Sequence, residues 1–260
     1  MAKDELGNPS ALDYVLKGGG KMYAADFGQS NYTYIGETHE VLQNFSVEKD
    51  SLPNTETCPV GVLLEYVTAT NLTIKFASYS STPANIARFF LGGVTDGTPG
   101  ETDKLITVTD VKAGMYSDLG VINITMIEVK SEDDTTTFVE GTDYQIDRPS
   151  GLLGIINGGA IVDDTVLNVT VTSDATGEHV QYLKGETKTI SLKFVGCAQN
   201  GEPVIVDFYK VELSGDGDAP LKGDEPISIS FTGGCSPDPT KPANGTVSQY
   251  ATMRYVREQV

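Results

Sequence analysis

Alternating apolar and polar positions dominate the chain and predict antiparallel strands. Leu72, Ile74 and Phe76 are separated by polar residues. The same period of two recurs in four further segments: Val41–Val47, Leu167–Val171, Ile190–Phe194 and Ile227–Phe231. Because successive side chains of a strand point to opposite faces, one face of each strand is expected to pack on a core. The other face is expected to meet water or a neighbouring chain.

Two segments carry the signals of short helices. From Thr82 to Leu91, a capping threonine and Pro83 begin the segment, and Gly92-Gly93 ends it. A second helix is predicted from Ser10 to Lys17, before a run of three glycines. The predicted fold is therefore mainly β.

Three stretches interrupt the strand patterns and predict the organisation of the chain. Glu48 to Gly61 and Gly233 to Gly245 are rich in proline and turn-forming residues, and both are predicted to be long loops. Val94 to Lys104 is predicted to be a linker into a middle β module at 96–185.

The charge of the chain limits its partners. Its 260 residues include 36 acidic and 18 basic side chains, a formal net charge of −18. This argues against ordinary nucleic-acid binding and against anionic membranes, which need a basic surface. The N-terminal residues lack the apolar core of a signal peptide, and no stretch has the roughly 20 apolar residues of a membrane helix.

No motif indicates catalysis, a cofactor or a metal site. The run Lys17–Lys21 lacks the spacing of a phosphate-binding loop, and no nucleophile elbow is present. The three cysteines are far apart, which predicts buried free thiols rather than a zinc site. Asp216-Gly-Asp218 is the best metal candidate, although solvated turns are the simpler explanation of its composition. We therefore predict that the chain is not an enzyme.

Four segments resemble the tail tube, or major tail, proteins of long-tailed siphovirus-like phages. The first is a corner of five residues within Gly20–Glu48: Tyr34, Ile35, Gly36, Glu37 and Thr38. The second is a short helix with Asn85 and Ile86 that ends at Gly92. The third is the hairpin Ile190–Leu213, with an Asn200-Gly201 turn, and the fourth is the hairpin Glu140–Gly154.

The resemblance implies an antiparallel β-sandwich of the tail-tube type with one short flanking helix. The core would comprise 21–95 and 186–260, with an N-terminal arm at 1–20 and the module 96–185 inserted. Hexameric rings would stack into a tube through a loop that contacts the adjacent ring, and nine residues are assigned to it: Glu48, Lys49, Asp50, Ser51, Leu52, Pro53, Asn54, Thr55 and Glu56.

The family also implies partners and a location. These are further copies of the chain, the tape-measure and tail-terminator proteins, and DNA that passes through the tube without adhering. The subunit would belong to the virion tail and would be assembled in the cytoplasm of the host bacterium. No cofactor is implied.

Two other classes remain open. A phage decoration or fibre protein, or an Ig-like surface adhesin, would suit the Glu140–Gly154 hairpin and the acidic turns, and would stay monomeric and bind a ligand. A β-sandwich glycan hydrolase would need two carboxylates about 5 to 10 Å apart in a cleft. The absence of tryptophan, a common sugar platform, weighs against it.

Overall fold

The computed structural model describes residues 16–56, 58–185, 188–198, 201–242 and 247–256. Strands account for 52% of the chain and helix for 3%, and the strands pair in antiparallel fashion, so the mainly-β prediction is confirmed. The elements are β1 Leu16–Asp26, β2 Thr33–Tyr34, β3 Thr38–Asn54, β4 Gly61–Ser78, α1 Pro83–Phe89, β5 Gly93–Thr95, β6 Lys104–Val108, β7 Tyr116–Asp118, β8 Ile124–Ser131, β9 Tyr144–Asp147, β10 Leu152–Ile155, β11 Leu167–Ser173, β12 His179–Gln181, β13 Thr189–Ala198, β14 Pro203–Gly215, β15 Ile229–Cys235 and β16 Ala251–Tyr255.

The chain forms two compact units, and the second is inserted into the first. Unit 1 contains the described residues up to Val94 and from Val180 onwards, and unit 2 is Thr95–His179. The sequence predicted a middle module at 96–185. Strands β5 and β12 pair with each other where the chain passes from one unit to the other.

Unit 1 is one sheet in the order β2-β1-β13-β14-β15-β4-β3, with β16 also on β14. Strand β14 is shared between two parts of this sheet. One of its edges pairs with β13 from Pro203 to Glu212, whereas the other pairs first with β16 and then with β15. A single core takes Met22 and Leu192 from one part and Ile74 and Phe231 from the other. The sheet therefore folds over its own core in the manner of a sandwich.

The helix α1 closes one side of this core. Thr82 caps it by accepting a hydrogen bond from the Asn85 amide at 3.3 Å, which confirms the predicted start. Phe89 packs edge-on against Phe231, with ring centroids 5.9 Å apart. The helix ends at Phe89. The chain then changes direction at Leu91, whose φ is +49°, before Gly92.

Unit 2 contains two three-stranded sheets, β7-β10-β9 and β6-β11-β8. The predicted alternation in β11 is confirmed, because Leu167, Val169 and Val171 are fully buried in the core of this unit. In the hairpin of β9 and β10, Asp143 is buried and accepts hydrogen bonds from the amides of Val139 and Ala160, both at 2.9 Å. These bonds hold the turn before β9 onto the segment after β10.

The predicted loop Glu48–Gly61 is wrong over most of its length. Residues up to Asn54 belong to β3, and β4 begins at Gly61. Leu52 pairs with Leu64, and Pro53 pairs with Val62. Because β3 is the last strand of the sheet, the missing N–H of Pro53 is tolerated there. The proline and turn-forming residues therefore predicted a loop where the structure has an extended hairpin.

Two other predictions are corrected by strand pairing. The predicted helix Ser10–Lys17 fails at its end, since Leu16 and Lys17 pair with Ala198 and Cys197; its earlier residues lie outside the described chain.

The predicted loop Gly233–Gly245 begins too early. Residues Gly233 to Cys235 are strand because β4 and β14 flank them on both sides, which outweighs the low strand propensity of glycine. Residues 243–246 lie outside the described chain, as does Asn200 of the predicted turn.

In the part of the chain that the structure describes, no helix has the length and apolarity to span a bilayer.

Candidate assembly surface

The predicted corner and the predicted helix meet in the structure. Asn85 is buried, and its Nδ2 donates to the carbonyls of Ile35 and Ser80, both at 2.7 Å. Its Oδ1 accepts from Arg88 at 3.0 Å. The amide of Glu37 donates to Ser80 Oγ at 3.2 Å. The Nδ2 and Oδ1 atoms of Asn85 therefore both have partners inside the protein. The contact between the corner and the helix thus has a structural role.

Glycine is required at position 36 of the corner. Its φ is +104°, and an added Cβ would lie 1.9 Å from Ser80 Oγ. Gly92 has a similar role at the end of α1, where a Cβ would lie 2.1 Å from the carbonyl oxygen of Gln181. Of the other motif residues, Ile86 lies against the core, Thr38 pairs with Ser78, and Tyr34 is half-exposed beside Tyr23.

The hairpin of β3 and β4 extends beyond the rest of unit 1. Strand β15 pairs with β4 only as far as Leu72, so 61–71 pair with β3 alone. We call 46–71 the arm. At about 3.3 Å per residue, it projects roughly 30 Å as a two-stranded ribbon. Such ribbons are marginally stable without further packing.

Large apolar side chains on the arm are exposed to solvent. Val62 and Leu63 are each 61% exposed, whereas Ile74 and Phe231 in the core of the same sheet are 0% and 1% exposed. Seven exposed apolar residues follow Val47 in the described part of the arm: Leu52, Val60, Val62, Leu63, Leu64, Tyr66 and Val67. The predicted stacking residues lie among them, with Glu48–Asn54 in β3 and Thr55 and Glu56 in the turn. Exposed apolar side chains concentrated in one element in this way are typical of an interaction site.

Exposed apolar side chains near the root of the arm lie on the same face of the sheet as the core residues. Gln43 pairs with Ile74, which is fully buried, and Phe45 pairs with Leu72. Phe45 and Val47 lie on the same face as Gln43 because side chains alternate along β3. Phe45 is nevertheless 65% exposed. The outer edge of β3 also pairs with no other strand among the described residues, so its backbone groups are open to pairing.

An apolar groove of about 380 Å³ lies at the root of the same hairpin. The groove is lined by the beginning of β3, by Gly18 and Gly20 of β1, and by apolar residues of β13, β14 and β16. We refer to these lining residues as the groove. Its apolar walls include Leu42, Phe194, Val206, Phe208 and Met253.

Charged side chains fasten the last described strand beside this groove. Asp207 on β14 is largely buried; Lys193 lies 3.2 Å from one of its carboxylate oxygens, and Arg254 on β16 pairs with the other. Since a buried carboxylate requires compensation, Lys193 ties β13 to β14 and Arg254 ties β16 to β14. Met253 is thereby held in the wall of the groove.

Other titratable groups show shifts of structural origin. Burial lowers the pKa of the Arg88 guanidinium, and Asp26 partly opposes that effect. Hydrogen bonds from the amides of Ala160 and Val139 lower the pKa of Asp143. Burial raises the pKa of the Cys235 thiol to about 11.

A smaller cleft of about 220 Å³ in unit 2 contains Glu101, Asp174 and His179. The carboxylate of Glu101 is paired with Lys104 at 2.8 Å, and Nε2 of His179 lies 2.8 Å from Thr176 Oγ1. An ion-paired carboxylate is poorly suited to donate a proton. Within the described ranges, no group of three or more His, Cys, Asp or Glu side chains is placed to hold a metal ion.

Several of these features have weak sequence signals. The run Val60–Val67 contains six apolar residues and could have been read as a strand, but its neighbouring prolines favoured a loop. The groove is lined by residues of six strands, several of which are distant in sequence. The link between Asn85 and Ile35 depends on the position of a helix relative to a corner, which no local pattern determines.

These observations define a mainly-β protein of two units with a projecting apolar hairpin and an adjoining groove. The chain belongs to the family described as Protein of unknown function UCP028589, whose model matches residues 15–254. No curated protein matches the chain.

Proposed function

We propose that the chain is the structural subunit of a phage tail tube, in which hexameric rings stack into a hollow conduit for DNA delivery. The observation that supports this proposal best is the arm. Its exposed apolar side chains and the open edge of β3 are unfavourable in an isolated monomer. Association of copies would cover both.

The free energy of burying apolar side chains favours assembly of the chain over a role as a monomer. Complete burial of a Val, Leu or Phe side chain contributes about 1.5–3 kcal/mol. The exposed arm residues could therefore stabilise a contact between copies even after the entropic cost of association. The resemblance at Tyr34–Thr38, Asn85–Gly92 and Ile190–Leu213 supports the same class of protein. Tape-measure and terminator proteins would be its further partners in the virion tail.

The charge of the chain suits a conduit for DNA. Six copies carry a formal charge of −108, six times −18. We propose that part of this charge lines the channel and repels phosphate groups, so that DNA does not adhere. Assembled protein should then fail to retain double-stranded DNA at low salt, where attraction to a basic surface would be strongest. Retention that disappears in high salt would contradict this role of the charge.

Negative-stain electron microscopy of the concentrated protein tests the proposal. We expect rings or tubes with a central channel. Leu64→Asp, on the arm, should yield dispersed protein at the same concentration. Leu221→Asp is the matched control, because Leu221 is 90% exposed but lies outside the arm, and it should assemble like the wild type. Wild-type protein that remains monomeric at high concentration would reject the tube and favour a decoration protein or an adhesin.

A further inference from the structure

Arg88 differs from the other arginines of the described chain because it pairs with no carboxylate there. Its one hydrogen bond runs from Nη1 to Oδ1 of Asn85 at 3.0 Å. The chain has twice as many acidic as basic side chains, 36 against 18, so carboxylates are in excess around its cations. The two other described arginines each have such a partner: Arg148 pairs with Glu140 at 2.7 Å, and Arg254 pairs with Asp207.

The unused edge of the Arg88 guanidinium has the geometry that recognises a carboxylate. Nε and Nη2 have no hydrogen-bond partner in the described part of the chain, and neither atom is fully buried. Two parallel N–H bonds of a guanidinium match the two oxygens of a carboxylate. Burial of the side chain lowers the pKa of Arg88, and Asp26 only partly opposes that effect. A cation that has lost water without a close counter-ion favours binding of an anion.

Arg88 lines a small cleft of about 80 Å³ within unit 1. Helix α1 contributes Ala84 and Ala87 to the same cleft, and their small side chains leave space beside the guanidinium. Strands β13 and β14 contribute Ile190 and Leu213 as apolar walls. The volume equals that of a few water molecules, at roughly 30 Å³ each, and is therefore sufficient for a carboxyl group.

The charge of the cleft is opposite in sign to that of the whole chain. Its charged lining residues are Arg88, Lys188 and Asp26, so two cations and one carboxylate give a formal charge of +1. The whole chain carries −18. A positive cleft on an acidic protein attracts a single anionic group, whereas the surrounding charge disfavours a large polyanion.

We propose that this cleft binds a carboxylate group, which the Nε and Nη2 edge of Arg88 holds and Lys188 attracts. The carboxylate comes from an acidic side chain of another copy of the chain or from a small free acid, and both present the same chemistry to Arg88. The inference goes beyond the proposed function and does not depend on it, because all the lining residues belong to unit 1 of one chain.

Protection of Arg88 from methylglyoxal, a small reagent for arginine side chains, tests the proposal. Dilute wild-type protein is treated in sodium acetate or in sodium chloride, each at about 300 mM so that the ionic strength is equal. Peptide mass spectrometry should find that acetate slows modification of Arg88 about threefold or more, which corresponds to a dissociation constant of about 150 mM or below. Arg148, already paired with Glu140, is the internal control and should react equally in both salts.

Two results of this experiment would overturn the inference. Equal rates at Arg88 in the two salts would show that the cleft does not bind acetate. An Arg88 that does not react even in chloride would show that the guanidinium is closed to small molecules.

Substitution of Ala84 provides an independent test. Ala84 is exposed and lies four residues before Arg88 on α1, so Ala84→Glu should fold and supply a carboxylate to Arg88 from the same helix. Arg88 should then react slowly in chloride, and acetate should add no protection. Ala84→Gln is the matched control, with the same shape and no charge, and acetate should still protect Arg88 in it. Identical behaviour of the two variants would contradict selection of a carboxylate.

The source of the carboxylate follows from the same reaction at high protein concentration in chloride alone. Protection of Arg88 that increases as copies associate identifies an acidic side chain of another copy. Protection that requires acetate at every protein concentration identifies a small free acid. Failure of the protein to form rings or tubes would reject the tube and leave the measurements on dilute protein unchanged.

Discussion

Asn85 donates a hydrogen bond from its side chain to the carbonyl of Ile35, at 2.7 Å and across fifty residues of sequence. A second bond at the same distance reaches the carbonyl of Ser80. One buried amide therefore holds the corner before β3 and the turn after β4 together. The two strands of the projecting hairpin are anchored at their root by this residue.

Asn85→Ala should destabilise the protein by about 2–4 kcal/mol, because it leaves two buried carbonyl groups without a donor. Urea denaturation followed by circular dichroism would measure the loss. Asn71→Ala is the control, since Asn71 is an exposed asparagine on β4 and should cost less than about 0.5 kcal/mol. Equal effects of the two substitutions would show that the junction is not anchored by Asn85.

Gly36→Ala should be more destabilising than Gly28→Ala. Both glycines have positive φ, +104° and +82°, so both substitutions strain the backbone by about 1–3 kcal/mol. Only at Gly36 does the new Cβ collide with Ser80. The difference between the two melting temperatures isolates the steric part of the cost. Melting temperatures that coincide would mean that the corner can move away from Ser80.

Asp143 should make the stability of unit 2 depend on pH. Its folded pKa is lowered by two amide donors, so the carboxylate stabilises the fold above its unfolded pKa of about 3.9. That contribution is lost as the pH falls through the folded pKa. Asp143→Asn should therefore be less stable than the wild type at pH 7, and the difference should shrink at pH 2–3. Asp96→Asn, an exposed change in the same unit, should show no such trend.

Cys235 should react with alkylating reagents much more slowly than Cys58. Burial raises the pKa of Cys235 to about 11, so only about one thiol in a thousand is ionised at pH 8. Cys58 is exposed. Peptide mass spectrometry after brief iodoacetamide treatment of dispersed protein should find at least about tenfold less label on Cys235. The difference should vanish in urea; if both thiols react equally in the folded protein, Cys235 is not shielded.

The sequence predicts those parts of the fold that local physics determines. Val169 and its neighbours in β11 alternate because each second side chain enters one core, and Thr82 caps α1 through an atom three residues away. The arm was not predictable in the same way. Apolar residues in a strand pattern are normally buried, whereas those of the arm are exposed. Pro53 is tolerated in the strand only because β3 is an edge strand.

The structure places the predicted stacking residues on a hairpin rather than on a loop. The predicted stacking residues Glu48–Glu56 fall on the arm, yet the adjoining residues Val60 to Val67 carry more of its exposed apolar surface. The groove was not predicted, since the strands that line it are distant in sequence. Distant pairings of this kind leave no local periodicity.

The insertion of unit 2 has a consequence for synthesis on the ribosome. The arm is made within the first 71 residues, whereas β13, β14 and β16, which form most of the groove, follow unit 2. A nascent chain therefore exposes the apolar side chains of the arm long before it contains the strands that complete the core of unit 1. During that interval the ribbon is open to aberrant contacts.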